Sequence, residues 1–169
     1  MEHLWSPWRN AYVKVKDESR DLANLFVEIG MSTDDEGHYV VARTKACYSL
    51  LNRYPYNLGH LMVIPYRAVP DLNGLSKQEL ADLWELVQDM CNLLQEAFKP
   101  HGLNVGINIG AAGGAGIPNH MHVHVVPRWT GDANFMTTCG DTRLHPGDLP
   151  GAYARLKETW AKMKAGAQG

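Results

Sequence analysis

Three histidines alternate with apolar residues in the stretch NHMHVHVVPRW, residues 119–129: His120, His122 and His124. In an extended strand successive side chains point to opposite faces, so the three imidazoles would share one face while the apolar residues between them enter a core. A neutral imidazole is a nucleophile and a hydrogen-bond acceptor, and a protonated one is a cation and an acid. The row therefore predicts either covalent catalysis on an anionic substrate or binding of it.

Two other interpretations of the row are a zinc site and a surface strand whose histidines are merely satisfied. The preceding loop NIGAAGGAGIPN, residues 108–119, is rich in glycine and can bring backbone N–H groups close to an anion, although such a loop alone is ordinarily a flexible hairpin. No Asp or Glu lies between Asn108 and Arg128, so the carboxylates common at metal centres are missing locally. The combination favours a phosphate-bearing ligand over a metal.

The composition of the chain indicates one globular domain that binds a small ligand. It has 169 residues, 45% of them hydrophobic and 20% charged, with a formal net charge of -2 and no basic runs. This balance disfavours a nucleic-acid partner. Three widely spaced cysteines, Cys47, Cys91 and Cys139, are typical of reduced thiols in the cytoplasm, and no apolar run is long enough to cross a membrane.

The elements that must position the histidines are predicted to be five strands and two helices. Alternating and β-branched patterns predict strands at residues 38–42, 46–52, 60–65 and 103–109, with the histidine strand ending at 126. A long helix is expected over 77–98, where Ser76 and Glu79 form a capping box and Leu75 with Leu80 a hydrophobic staple. We expect an α+β fold, a five-stranded antiparallel sheet with one long helix packed on it and a C-terminal helix after Pro150.

Three parts of the single domain, 1–169, are distinguished by composition: an N-terminal docking segment (1–37), a core (38–128) and a C-terminal loop and helix (129–169). The docking segment carries Trp5, Trp8, Arg9 and Tyr12, too many large aromatics for a disordered tail. We expect it to pack on the domain or on a second subunit. The turn-rich segment 131–150 is predicted to close over the site.

The motif His120-x-His122-x-His124 followed by two apolar residues resembles the signature of the histidine triad (HIT) superfamily. The likeness is closest to the fragile-histidine-triad branch and the bacterial diadenosine tetraphosphate phosphorylases. It extends to LWSPWR at the start and to LLNRYPYNLGHLMVIPYR in the middle, so that it covers most of the chain. The resemblance implies a HIT-like fold, usually a homodimer, and an adenine nucleotide substrate.

The resemblance also implies a role for individual residues. His122 would attack the α-phosphate and form a nucleotidyl-imidazole intermediate, His124 would donate hydrogen bonds to phosphate oxygens, and His120 would orient the ring of His122. The predicted substrate-binding residues are Asn52 at the ribose, Leu50 and Met62 at the adenine, His60 in support of the triad, and Asn108, Gly114, Gly116 and Asn119 around the phosphate. No metal and no cofactor is required by this chemistry, although a divalent cation could accompany the polyphosphate.

Two departures from the family pattern bear on function. Many bacterial relatives carry a zinc-binding Cys-x-x-Cys where this chain has Asn24 and Val27, so we predict no structural zinc. Hydrolase relatives carry a glutamine before the triad where this chain has Ala115 and Gly116, which resembles phosphorylases.

The leading hypothesis is an enzyme that cleaves dinucleoside polyphosphates, as phosphorylase or hydrolase. The alternatives are a non-catalytic nucleotide sensor or partner-binding protein, and a metal-dependent enzyme.

Overall fold

A computed structural model describes residues 24–132 and 148–166 of the chain. Three α-helices and five strands follow one another, with one short 3-10 turn before the second helix. In chain order they are α1 (Leu25–Met31), β1 (Val40–Arg43), β2 (Cys47–Leu51), β3 (Leu61–Pro65), the turn Leu72–Gly74, α2 (Lys77–Phe98), β4 (Gly102–Ile107), β5 (Val123–Arg128) and α3 (Leu149–Gly166). The strands form one antiparallel sheet in the order β1-β2-β3-β5-β4, which confirms the predicted α+β architecture.

Helix α2 has the predicted bounds because its local signals agree with one another. The Ser76 side chain accepts from the Glu79 backbone N–H, and the Glu79 carboxylate accepts from the Ser76 N–H, which completes the capping box. Lys99 then ends the helix in the left-handed conformation, with φ of 48°. The buried stripe of α2 covers one face of the sheet and comprises Leu83, Leu86, Val87, Met90, Leu93, Leu94 and Ala97.

The central strands are buried on both faces, so the sheet separates two apolar clusters. Leu61 and Val63 of β3 point into the larger cluster beneath α2, whereas Met62 and Ile64 point into a smaller cluster beneath α1. Every residue of β2 and β3 is buried, as expected for strands that are covered on both faces. The α1 face is the one that carries the functional site.

The histidine motif is only partly strand. Regular pairing of β5 begins at Val123, so His120 and His122 precede the ladder and only His124 lies in it, opposite Met62 of β3. The prediction of one continuous histidine strand was therefore wrong in its extent. The rings of His120 and His122 nevertheless both contact Phe26, with centroid distances of 5.6 and 5.1 Å, so they face the same side of the sheet.

Other element boundaries shift for identifiable reasons. The first strand begins at Val40 rather than at residue 38, because residues 35–39 form a turn in which Tyr39 has φ of 57°. Helix α3 includes Pro150 in its first turn, where a proline sacrifices no intrahelical hydrogen bond. Helix α1 was not predicted at all.

Several predictions fall on residues outside the described ranges. The docking of Trp5, Trp8, Arg9 and Tyr12, the environment of Cys139 and most of the segment expected to close over the site belong to this group. The three-part division of the chain stays a prediction. In the described part of the chain, no helix has the length and apolar character needed to cross a membrane.

Candidate functional site

A cavity of about 350 Å³ opens between α1, the end of β2 and the histidine motif. This volume lies within the range of small-ligand sites, which is roughly 300–1,000 Å³. Its apolar side is formed by α1 and by the α1 face of the sheet, and its polar side by two histidines, two asparagines and the glycine loop. The residues that line these two sides include Leu25, Phe26, Ile29, Leu50, Met62 and Ile117, and Asn52, Asn108, Gly114, Gly116, His122 and His124.

His122 is oriented as a nucleophile. Its Nδ1 lies 3.1 Å from the main-chain carbonyl oxygen of His120. A carbonyl oxygen only accepts, so Nδ1 carries the proton and Nε2 retains the lone pair in the neutral ring. The ring is 6% exposed and packs edge-on against Phe26, which restricts its rotation. The lone pair is thus presented by a fixed ring that lines the cavity.

The side chain of His120 has a different environment from the other two histidines. It is fully buried, its Nε2 lies 2.8 Å from the Pro65 carbonyl oxygen, and it does not line the cavity. Its Nδ1 has no hydrogen-bond partner among the described residues. His120 contacts His122 through its main-chain carbonyl, so any orienting effect on His122 passes through the backbone and not through the imidazole.

His124 joins the cavity to a second, deeper histidine. Its Nδ1 lies 2.9 Å from Nε2 of His60, which is completely buried. Its Nε2 lies 3.5 Å from the Asn108 amide, a distance too long for a strong hydrogen bond. His60 does not line the cavity, so the structure places it against His124 and not among the residues that could touch a ligand.

Burial keeps all four imidazoles neutral. Desolvation is the main cause that lowers the pKa of His120 and of His122. Burial and the nearby His122 lower the pKa of His124 from 6.5 to about 4, and burial with the proximity of His124 and His122 places the pKa of His60 well below its usual range. At neutral pH the site therefore holds unprotonated imidazoles, each with one lone pair and one N–H.

The glycine loop is more internally bonded than its sequence indicates. Gly114 has φ of 85°, and its N–H donates to the Ala111 carbonyl at 3.0 Å. The N–H of Ala115 donates to the Gly110 carbonyl at 3.2 Å. Gly116 lines the cavity, and its N–H has no partner among the described residues. Of the two loop amides predicted to bind phosphate, only that of Gly116 is available without a change in the loop.

Of the other residues predicted to bind the substrate, four line the cavity and one does not. Leu50, Asn52, Met62 and Asn108 all line the cavity. Asn119 is exposed and is not among the lining residues, so the structure does not bring it to the site.

The structure also adds one wall that the sequence analysis missed, helix α1. The Tyr48 hydroxyl donates to the Phe26 carbonyl at 2.6 Å, and the Arg43 guanidinium donates to the carbonyls of Gly30 and Ser32 at the end of the helix. The apolar spacing in LFVEI was the available signal for a helix, but seven residues are too few for periodicity to identify one.

No group of three or more His, Cys, Asp or Glu side chains within residues 24–132 and 148–166 is arranged to hold a metal ion. Asn24 and Val27, for which the sequence analysis predicted no zinc, lie at the start of α1.

Fold and site together define a histidine triad protein. The model of the HIT domain family matches residues 35–131, more than half of the chain. The crystal structure of a zinc-bound histidine triad family protein from Mycobacterium smegmatis superposes with a TM-score of 0.68 at 25% identity, covering 84% of this chain and 96% of that one. The chain belongs to the HIT family.

Within the family, the most informative similarities are to enzymes of dinucleoside polyphosphates. The chain is 42% identical to the AP-4-A phosphorylase of Mycobacterium tuberculosis, over 96% of this chain and 86% of that protein. It is 38% identical to the asymmetrical bis(5'-nucleosyl)-tetraphosphatase of Schizosaccharomyces pombe, over 74% of this chain and 69% of that protein.

Proposed function

We propose that the protein is a HIT enzyme that cleaves dinucleoside polyphosphates such as diadenosine tetraphosphate, with inorganic phosphate as the acceptor. The observation that carries the proposal is the orientation of His122, whose Nδ1–H is held by the His120 carbonyl so that Nε2 is free in a ring lining the cavity. An imidazole fixed in this way needs no base to become nucleophilic.

The reaction proceeds in two displacements. In the first, Nε2 of His122 forms a bond to the α-phosphorus of the substrate while the bond from that phosphorus to the bridging oxygen breaks, and the electron pair leaves on ATP. The imidazole becomes a nucleotidyl-imidazolium that keeps its Nδ1–H on the His120 carbonyl. In the second, a phosphate oxygen attacks the same phosphorus, the bond to Nε2 breaks, and ADP is released with the histidine regenerated.

Charge develops on the phosphoryl oxygens during both displacements and must be stabilised by neutral donors. His124 lies on the cavity beside His122, with ring centroids 4.8 Å apart. The N–H of Gly116 and the amide of Asn108 lie on the same side of the cavity. These three residues are the proposed phosphate-binding groups.

The nucleoside is proposed to lie along the apolar side of the cavity. Phe26, Leu50 and Met62 form a wall on which an adenine could be buried, and Asn52 lies at the polar end, where a ribose hydroxyl would reach it. Burial of about 100 Å² of apolar surface contributes roughly 2.5 kcal/mol. The wall formed by α1 therefore has two proposed roles, because Phe26 both offers surface to the nucleoside and packs against the ring of His122.

We propose phosphate as the acceptor because the loop before the triad has small residues beside the cavity. Gly116 lines the cavity and Ala115 beside it is buried, at the positions where the family resemblance gives hydrolases a glutamine. The name of the Mycobacterium tuberculosis relative, AP-4-A phosphorylase, supports the same choice. We further propose that neither a structural zinc nor a metal cofactor is needed, which elemental analysis of active protein would contradict by finding stoichiometric metal.

Product analysis tests the proposed reaction. Incubation with diadenosine tetraphosphate is expected to yield ADP and ATP, and only when phosphate is present. His122→Ala should abolish turnover, whereas His101→Ala, at an exposed histidine outside the cavity, should not change it. Formation of AMP and ATP without phosphate would show that water is the acceptor. Tight binding of AMP without any turnover would indicate a nucleotide sensor instead.

A homodimer formed through β4 is proposed from the exposed apolar residues at that edge of the sheet. In the described residues β4 pairs only with β5, and its outer edge has no neighbouring strand. Val105 on β4 and Ile109 just beyond it are 43% and 48% exposed. An unpaired edge with apolar side chains is a template for a second copy of the chain.

Sedimentation analysis tests the dimer. Val105→Lys is expected to convert the protein to a monomer, because a charged side chain on an edge strand opposes pairing. The matched control is Met31→Lys, which changes an apolar residue that is 80% exposed at the end of α1. A monomeric wild-type protein, or a Val105→Lys variant that stays dimeric, would contradict the proposed interface.

A cytoplasmic location, with a small-molecule substrate rather than nucleic acid, is part of the proposal. It is supported by the odd number of cysteines and the slightly negative net charge.

A further inference from the structure

His60 receives hydrogen bonds that determine which of its nitrogens carries the proton. The backbone N–H of Tyr56 donates to Nδ1 of His60 at 3.0 Å, and the Asn52 amide nitrogen Nδ2 lies 3.3 Å from the same atom. A backbone N–H is never an acceptor, so Nδ1 must present its lone pair. The single proton of the neutral ring therefore resides on Nε2.

The orientation of the Asn52 amide is fixed independently. Its Oδ1 accepts from the backbone N–H of Tyr54 at 2.9 Å, which requires an oxygen at that position. Nδ2 is then the atom directed at His60. Asn52, which the family resemblance assigns to the ribose, is thus also in contact with the deepest histidine of the site.

The tautomer of His60 determines the tautomer of His124. Since Nε2 of His60 carries a proton, it donates to Nδ1 of His124 across 2.9 Å. Nδ1 of His124 accepts, so the proton of that neutral ring resides on Nε2. His60 is completely buried and His124 is 8% exposed, and the Tyr56 ring stacks on His60 with a centroid distance of 4.6 Å. Water has little access to supply alternative partners.

The tautomer of His124 determines whether this residue can donate a hydrogen bond to a phosphate in the cavity. With its proton on Nε2, His124 presents a hydrogen-bond donor to the cavity it lines. The opposite tautomer would present a lone pair and repel a phosphoryl oxygen. The Asn108 atom placed 3.5 Å from this Nε2 is Nδ2, so a proton on Nε2 requires the amide to turn over and face it with Oδ1 until a substrate oxygen takes that place.

We propose that Asn52 and the backbone N–H of Tyr56 are positioning groups that lock His60, and through it His124, as neutral Nε2–H tautomers, so that His124 donates to the substrate phosphate. The inference rests on the proposed function for its purpose, but the tautomers themselves are a property of the free protein. They can be measured whether or not the chain turns over a dinucleotide.

Nitrogen-15 NMR of the histidine-labelled protein at neutral pH tests the assignment directly. Protonated and unprotonated ring nitrogens have well-separated chemical shifts. His60 and His124 are expected as Nε2–H tautomers and His122 as the Nδ1–H tautomer. A protonated Nδ1 on His60 or on His124 would overturn the proposal. The expected spectrum in a protein without activity would leave the proposal standing and refute the proposed function instead.

Two variants at Asn52 separate positioning from substrate contact. Asn52→Asp replaces the amide donor by a carboxylate, which only accepts, so it should favour a proton on Nδ1 of His60 in competition with the Tyr56 N–H and reduce the Nε2–H populations of the neutral His60 and His124 rings. Removal of one donor to a developing oxyanion lowers kcat on the order of 10²-fold. Asn52→Leu removes the ribose contact and the amide donor but leaves the Tyr56 N–H on Nδ1 of His60, so it should raise KM and weaken the Nε2–H tautomers and kcat less than Asn52→Asp does.

The comparison between the two variants decides the matter. The proposal predicts that the His124 spectrum and kcat change most in Asn52→Asp and less in Asn52→Leu. Equal losses of kcat in both variants with unchanged histidine spectra would overturn it, because Asn52 would then act only through the substrate.

Discussion

Replacement of His122 by glycine is expected to lower kcat for diadenosine tetraphosphate by roughly 10⁴-fold or more, since removal of a covalent nucleophile eliminates the two-step path. The structure gives no substitute, because the His120 side chain is turned to the Pro65 carbonyl and Nδ1 of His124 is occupied by His60. Steady-state assays with phosphate present measure the loss. Added imidazole should restore part of the activity by entering the vacated space.

Control variants separate loss of the nucleophile from loss of the fold. His101→Gly replaces an exposed histidine that bonds Thr130 outside the cavity, and it should retain full activity. The His122→Gly protein should unfold cooperatively on heating and still bind AMP, because Phe26, Leu50 and Met62 are unchanged. A His122→Gly enzyme that keeps more than about a tenth of its kcat would exclude covalent catalysis by this residue.

A steep loss of stability in mild acid is the second large effect that we expect. The unfolded chain protonates its histidines near pH 6.5, whereas burial and the nearby His122 lower the pKa of His124 in the folded state to about 4. The unfolded state therefore binds more protons throughout that window, and the free energy of unfolding falls as the pH falls from 6.5 to 4. This stabilisation is fully present above pH 6.5.

The size of the loss in unfolding free energy follows from the lowered pKa of His124. A change of one pKa unit corresponds to about 1.4 kcal/mol, so His124 alone accounts for a loss of about 3 kcal/mol across the window. The pKa values of His60, His120 and His122 are lowered by burial as well, and each adds to the loss. Glu79, whose pKa the Arg67 guanidinium lowers to about 2, acts only at more acid pH.

Urea denaturation at pH 7 and pH 4.5 measures this difference. His124→Asn removes one of the titrating rings and should make the free energy of unfolding less dependent on pH. Equal unfolding free energies of the wild-type protein at the two pH values would show that the histidines are protonated in the folded state. Burial would then not lower the pKa values of these histidines.

The features that sequence could predict are those encoded by neighbouring residues. Helix α2 was predicted to the residue because Ser76, Glu79 and the apolar stripe are all local signals. The common side shared by His120 and His122 was predictable from their spacing, even though both precede the strand. Leu50 and Met62 were predicted only from the family resemblance, which also supported Asn52 at the end of its strand, and all three line the cavity.

The features that sequence could not predict depend on contacts between distant residues. Helix α1 has seven residues and is held by Tyr48 and Arg43 from the sheet, so its own sequence carries little information. Asn119 is adjacent to the triad in sequence, yet the backbone leaves it exposed and outside the cavity. The bond from His60 to His124 spans 64 positions of the chain, and no spacing rule predicts it.

Capture of the proposed nucleotidyl intermediate on His122 tests the covalent mechanism most directly. The protein is mixed with diadenosine tetraphosphate in phosphate-free buffer, quenched within a single turnover and examined by mass spectrometry. Covalent catalysis by His122 predicts one nucleotidyl group per chain, located on that residue. A chase with phosphate should convert this group to ADP. Turnover at full rate with no adduct on His122, or an adduct at another residue, would contradict it.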